Sequence, residues 1–215
     1  MAPARMDFDR LASWYGALEA IAAGPLMQRA RTHWLDALAG HHCVLSVGEG
    51  HGRFAAAFLR RFPDARLTCV DASAAMIRRA RGRTASAGRA ITWVMATLPP
   101  WRPPAGSFDA VVTCFVLDCF PPETLREVVG ALSNGAAHRA SWLVVDFAIP
   151  DRGWVRLRAR VIVATLYFFF RLTARIPARQ LTEPDALLRA AGFERVARRE
   201  FSWGLIRADL WRRGA

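Results

Sequence analysis

The sequence predicts an α/β fold: a mostly parallel, seven-stranded sheet with helices on both faces, N-terminal helices before it and an antiparallel last strand. Three observations lead there. Short apolar runs alternate five times with helical patterns between residues 43 and 147, as strands joined by crossover helices do. FDAVVTCF (108–115) and SWLVVDF (141–147) are continuously apolar, which suits strands buried on both faces. The chain closes with two more strand-like runs, FERVARREFS and GLIRADLWRR, whose tight connection at Trp203 and Gly204 predicts a hairpin. At 215 residues, 53% hydrophobic and 22% charged, the chain suits one domain without repeats. Within it, 1–40 reads as a helical cap, 41–147 as a binding core, 148–192 as lid helices and 193–215 as the hairpin.

Each element has a local reason. Residues 8–22 place Phe8, Leu11, Leu18 and Ile21 at helical spacing. Gly24 and Pro25 end that helix, and a second spans 26–38 before Gly40. CVLSV (43–47) is the first strand, followed by Gly48, Gly50 and Gly52 and a helix over 53–62. Pro63 and Asp64 turn the chain into RLTCV, a strand that stops on Asp71. Ser73 caps a helix reaching residue 81, with Met76 and Ile77 on its inner side. ITWVM (91–95) is a third strand, and four prolines keep 98–106 irregular. Pro121 and Pro122 open a helix that ends near Asn134 and Gly135. After the fifth strand come a long arginine-studded helix over about 154–174 and a short one over 183–191, closed by Gly192.

The stretch from 44 to 71 carries the chemistry. Glycines at alternate positions after a strand let the backbone pass close under a ligand. An acid ending the next strand can accept hydrogen bonds from a ribose. A dinucleotide fingerprint needs a glycine where this chain has Arg53, so the loop is G-x-G-x-G and not G-x-G-x-x-G.

This loop, Asp71, the segment VDAS with Met76 and the five strands together resemble the class I S-adenosylmethionine-dependent methyltransferases over about 40–147. The resemblance implies a Rossmann-like fold and S-adenosylmethionine as cofactor. It also implies roles: Gly48 and Gly50 lie under the methionine part, and Asp71 holds the ribose hydroxyls. Ala72 and Met76 line the adenine, Ala96 and Thr97 meet its amino group, and Phe115 and Val116 lie against the sulfonium end. The chain departs from the family pattern twice. Ser46 stands where an acid usually precedes the first glycine, which leaves Glu49 to meet the cofactor's ammonium or to be a solvated loop carboxylate. Thr97 stands where an Asp usually meets the adenine.

The acceptor is less legible, because methyl transfer chiefly demands positioning and exclusion of water. Asp118 is the best-placed acid after the fourth strand, with Asp146 behind it at the end of the fifth. Either can orient or deprotonate an acceptor, and Asp118 can equally be a helix-start carboxylate. The position after the fourth strand reads CFVLDCF in place of the N-P-P-[YF] signature of amide- and base-nitrogen methylation, which favours a small acceptor. Cys43, Cys69, Cys114 and Cys119 read as buried free thiols of a reducing compartment, and no histidine has a metal-ligand partner at recognisable spacing.

Residues 154–175 hold the run VIVATLYFFF between arginines, too short to span a bilayer. Three readings stand: an interfacial helix on anionic lipid, a lid over an apolar acceptor, or a helix packed on the sheet or in a homodimer contact. In quinone-biosynthesis methyltransferases, which the opening FDRLASWY resembles, this segment and the N-terminal helices build the acceptor pocket. That makes Tyr15, Tyr167 and Arg171 candidate acceptor contacts. All 30 basic residues are arginine, and the net charge of +12 suits an anionic surface or substrate. No signal-type or spanning segment is apparent, so the expected location is cytoplasmic, with optional contact at the inner membrane face.

The expected function is methyl transfer to a small, apolar or lipid-like acceptor. A nucleic-acid methyltransferase and a non-catalytic S-adenosylmethionine-binding scaffold are the rival readings.

Overall fold

A computed structural model of the chain describes residues 24–86, 91–174 and 181–214. The helix expected over 8–22, and with it Tyr15, lies outside the described residues. In order, the elements are α1 (Gly24–Thr32), a 3-10 turn (Leu35–Leu38), β1 (Cys43–Val47), α2 (Arg53–Arg61), β2 (Arg66–Asp71), α3 (Ala74–Arg83) and β3 (Ile91–Met95). Then follow β4 (Phe108–Cys114), a 3-10 turn (Leu117–Cys119), α4 (Pro122–Gly135), β5 (Ala136–Phe147), α5 (Gly153–Ala174), α6 (Asp185–Ala190), β6 (Phe193–Phe201) and β7 (Ile206–Arg213).

The seven strands form one sheet in the order β3-β2-β1-β4-β5-β7-β6. The first five are mutually parallel; β7 runs antiparallel to β5 and to β6, as the hairpin predicts. Chain order reverses between β1 and β4, and ligands of open α/β sheets bind beyond the strand ends at such a point. Register sharpens the place: Val47 lies opposite both Val70 and Thr113, so the turns after β1, β2 and β4 converge.

The core explains the apolar runs. Val44, Leu45, Val111 and Val112 at the sheet centre are fully buried, as are Trp142 and Trp211 farther out. Each side chain of that size contributes on the order of 1.5–3 kcal/mol by leaving water. Trp142 donates its indole N–H to Thr113 Oγ1 at 3.0 Å, so its one polar group is satisfied where water cannot reach.

Two elements and the cysteines differ from the sequence reading. The helix expected over 26–38 breaks after Thr32, where Trp34 donates its Nε1 hydrogen to the Ala208 carbonyl at 2.9 Å and ties the chain to β7. β5 begins at Ala136, with no loop after α4, because Gly135 packs flush against Pro103 and Arg139 takes φ 62° at a register shift against β4. Of the four free cysteines only Cys69 is fully buried.

Helix α5 has two apolar faces. Ala159, Val163 and Tyr167 pack with Met27, Ala30, Val145, Ile206 and Ala208. Trp154, Leu157 and Val161, at i, i+3 and i+7, stay 65%, 66% and 59% exposed. No helix of the described residues is long and apolar enough to cross a membrane.

Candidate functional site

The site grows from the turn after β1. The Gly48 N–H donates to the Val70 carbonyl at 2.8 Å, which carries the ladder one residue past the strand. Gly48 has φ 67°, and a Cβ there would lie 2.7 Å from Val116 Cγ2, so glycine is required twice over. Gly50, with φ 60°, has nothing within 4 Å of its would-be Cβ, leaving open space over the backbone. Gly52 serves a different end. Its Cβ would stand 2.8 Å from Ala80 Cα, so it lets the start of α2 pack against α3.

Asp71 locks the loop. Its Oδ2 accepts the Gly50 N–H at 2.8 Å and its Oδ1 the Ser73 N–H at 2.9 Å. Ser73 in turn caps α3, accepting the Met76 N–H at 3.1 Å, as its position before the helix predicts. Glu49 turns inward: its Oε1 accepts the Ala55 N–H at 2.8 Å, and Ser46 donates its hydroxyl hydrogen to Oε2. Burial pushes the Glu49 carboxyl up from 4.5 to about 7, while these hydrogen bonds and nearby Arg31 pull the other way.

The second half of the site follows β4. Phe115 holds φ 57°, a conformation disfavoured for a bulky side chain, with its N–H donated to the Val145 carbonyl at 2.6 Å. Asp146 Oδ1 accepts the Val116 N–H at 3.1 Å and secures the same turn. Beyond it, Tyr167 of α5 donates its hydroxyl to the Asp118 carbonyl oxygen at 2.6 Å, fastening that helix over the turn. Burial pushes the Asp118 carboxyl up from 3.8 to about 6, and burial beside Asp118 pushes that of Asp146 well up. The Cys114 and Cys119 thiols are raised by burial too, which keeps them protonated and poor nucleophiles.

One cavity of about 140 Å³ joins these parts. Gly48, Glu49, Gly50 and Asp71 line it from the β1 and β2 turns. Ala72, Met76, Ala96 and Thr97 line it from β2, α3 and the end of β3, and Phe115, Val116 and Asp118 from the β4 turn. Tyr167, with Val163 and Leu166, lines it from α5. Asp146 does not line it and stands behind Asp118. Arg171 sits on α5, and its side chain, like Tyr15, lies outside what is described.

Sequence reasoning missed Arg31. It is 8% exposed, lines the cavity from α1 and lies 5.0 Å from the centre of the Phe115 ring. Nothing in the sequence separates it from 29 other arginines. It also missed the partnership of Ser46 with Glu49, for which the three-residue spacing was the available signal. Among the described residues no group of three His, Cys, Asp or Glu side chains could hold a metal ion.

A strand-end glycine turn, an acid locking it and an apolar slot beyond fit a nucleoside bearing a charged tail. The family model described as a methyltransferase domain matches residues 44–135, the stretch that supplies most of this cavity. Residues 44–135 form a methyltransferase domain.

Among relatives, an uncharacterized methyltransferase of Mycobacterium bovis is 36% identical over 119 residues, 54% of this chain and 57% of the relative. The match therefore spans little more than half the relative's length. The ubiquinone/menaquinone biosynthesis C-methyltransferase of Paracoccus denitrificans is 28% identical, over 92% of this chain and 85% of that one. Among solved structures, the 1,6-didemethyltoxoflavin-N1-methyltransferase of Burkholderia thailandensis, with S-adenosylhomocysteine bound, superposes with a TM-score of 0.68. It is 18% identical, covering 96% of this chain and 88% of that one, a likeness of fold.

Proposed function

We propose that the chain transfers a methyl group from S-adenosylmethionine to a small, apolar or lipid-like acceptor by in-line displacement. The observation that carries this is one continuous cavity with a nucleoside-type end at Asp71 and an apolar end at Val163, Leu166 and Tyr167. The residues present fit the cofactor. Gly50 leaves backbone open to it and Gly48 lets the turn fit against Val116; Asp71 faces its ribose, and Glu49 supplies the acid that Ser46 does not. When bound, S-adenosylmethionine supplies an electrophilic methyl carbon on a sulfonium.

The chain's own part is to position the acceptor, exclude water and manage a proton. Phe115, Val116 and Tyr167 form the apolar wall that holds the acceptor. Asp118 lines the same cavity and takes the acceptor proton where one must leave. Its raised pKa suits that task, since a base works best near the ambient pH.

The outer face of α5 supports a lipid source for the acceptor. Trp154, Leu157 and Val161 form an exposed apolar stripe that Trp203, 68% exposed at the β6–β7 turn, extends. The Trp154 and Trp203 rings lie 6.0 Å apart, and Arg158 lies 5.0 Å from the Trp203 ring centre. Arg152, Arg156 and Arg160 are exposed alongside, and α5 itself contains no acid. Indoles at the acyl boundary with arginines at anionic head groups are the chemistry of an interfacial helix.

The test is incubation of cell lipid and polar extracts with methyl-labelled S-adenosylmethionine, followed by identification of the labelled product. An apolar labelled product is expected. Label entering only nucleic acid would replace this reading with the polyanion one that the +12 charge favours.

A further inference from the structure

Behind the main cavity lies a second, of about 30 Å³, lined by Asp118, Asp146, Thr182, Arg198, Arg207 and Asp209 among others. Asp118 belongs to both cavities. Most charges here are already matched. Arg198 donates to Asp209 Oδ1 and Oδ2 at 2.7 and 2.6 Å and to Asp185 Oδ2 at 3.2 Å. Arg195 also bonds Asp185. Arg207 Nη1 donates to Glu183 at 2.9 Å.

Among the described residues, three buried polar atoms of this cavity's wall residues have no hydrogen-bond partner: Asp146 Oδ2, Thr182 Oγ1 and Arg207 Nε. Asp146 is only 8% exposed. Arg207 Nε has Glu200 at 3.7 Å, an ion pair beyond hydrogen-bond reach. The three form a matched set: a carboxylate acceptor, a guanidinium donor and a hydroxyl able to do either. A metal cation would meet the Arg207 N–H head-on, whereas a water accepts from it and donates to the other two. About 30 Å³ suffices, since one water needs about 10–15 Å³.

We propose that this cavity binds a structural water on Asp146, Thr182 and Arg207, and that this water carries the acceptor proton from Asp118 to Asp146. The relay rests on the methyl-transfer reading. As the bond from acceptor to methyl carbon forms, the sulfur–carbon bond breaks with its electron pair kept on sulfur. The acceptor's proton goes to the Asp118 carboxylate. With Asp146 ionised, the water takes it from Asp118 and gives one of its own to Asp146 Oδ2, the acid whose protonated form burial favours more. Asp118 is then a carboxylate again, and Asp146 releases the proton to solvent past the exposed Glu183 edge. Cys119, whose Sγ lies 3.5 Å from Asp118 Oδ1, stays a thiol throughout.

A high-resolution crystal structure of the full chain tests the site directly. Ordered density within hydrogen-bond distance of all three atoms is expected; an empty cavity, or a coordinated cation in it, overturns the proposal. Thr182→Val tests the relay. It leaves S-adenosylhomocysteine binding by calorimetry unchanged, yet moves the acid limb of the methyl-transfer pH profile up by about half a unit, because the water loses its Thr182 anchor and the charged acids lose the donor that the water supplies. A profile superimposing on wild type overturns the relay. Ordered water in a wild-type chain that binds no cofactor would overturn the relay through its parent reading, and leave the water site standing.

Discussion

Ser46 donates its hydroxyl hydrogen to Glu49, three residues along, so the loop carboxylate returns to the β1 end where an acid would ordinarily precede the first glycine. The Ala55 N–H holds the other oxygen at 2.8 Å, and the side chain points into the cavity and not toward solvent.

Glu49→Gln is therefore expected to weaken S-adenosylmethionine binding. Losing a hydrogen bond to a charged partner costs about 1.5–3 kcal/mol, or roughly ten- to hundredfold in Kd. The Glu49 carboxyl titrates at about 7, so wild-type affinity falls as pH drops below that value, and the variant's does not. Calorimetry at pH 6 and 8 checks both.

Without cofactor the sign reverses. The folded chain binds the Glu49 proton more tightly than the unfolded chain, whose value is near 4.5. That stabilisation is complete below about pH 4.5 and is lost as pH rises through 7. The Tm of wild type minus that of Glu49→Gln should shrink between pH 5 and 8 in thermal melts.

The glycines separate by what an added methyl would strike. Gly52→Ala meets the Ala80 backbone at 2.8 Å and must also hold φ 75°. A cost of roughly 2–4 kcal/mol follows, seen as a Tm lower by about 5–15 °C. Gly50→Ala has room on the protein side but a Cβ over the ligand face, so its loss should appear mainly in cofactor Kd.

Asp118→Asn removes the proposed base. A drop of about 10²–10⁴ in rate is expected for an acceptor that must lose a proton, with cofactor affinity retained. In wild type the rate should rise with pH through about 6, the value to which burial raises this carboxyl. Rate profiles of both proteins decide it.

Trp154→Ser with Trp203→Ser should cut binding to anionic vesicles by about tenfold or more, as two buried indoles are lost from the bilayer boundary. Flotation with neutral and anionic vesicles reads this out; equal binding by both proteins would remove the interfacial assignment.

Most of the sheet was legible because its strands are buried on both faces and so read as unbroken apolar runs, and because Trp203 and Gly204 mark the hairpin. The split at Thr32 was not, since the Trp34 indole reaches a carbonyl on β7, a partner 174 residues away. The glycine turn and Asp71 were legible from spacing. The buried Arg31 was hidden among surface arginines of the same type, and only packing over Phe115 sets it apart. Asp146 was recognisable as an acid at a strand end. That one oxygen holds the Val116 N–H while the other faces away from the main cavity depends on the alignment of β4 with β5, which no local pattern encodes.

Titration calorimetry of S-adenosylmethionine into the wild-type chain and Asp71→Ala tests the central claim most directly. Saturable binding at one site, lost in the variant, is the predicted result. No heat of binding at millimolar cofactor in the wild type, or equal affinity in the two proteins, would contradict it.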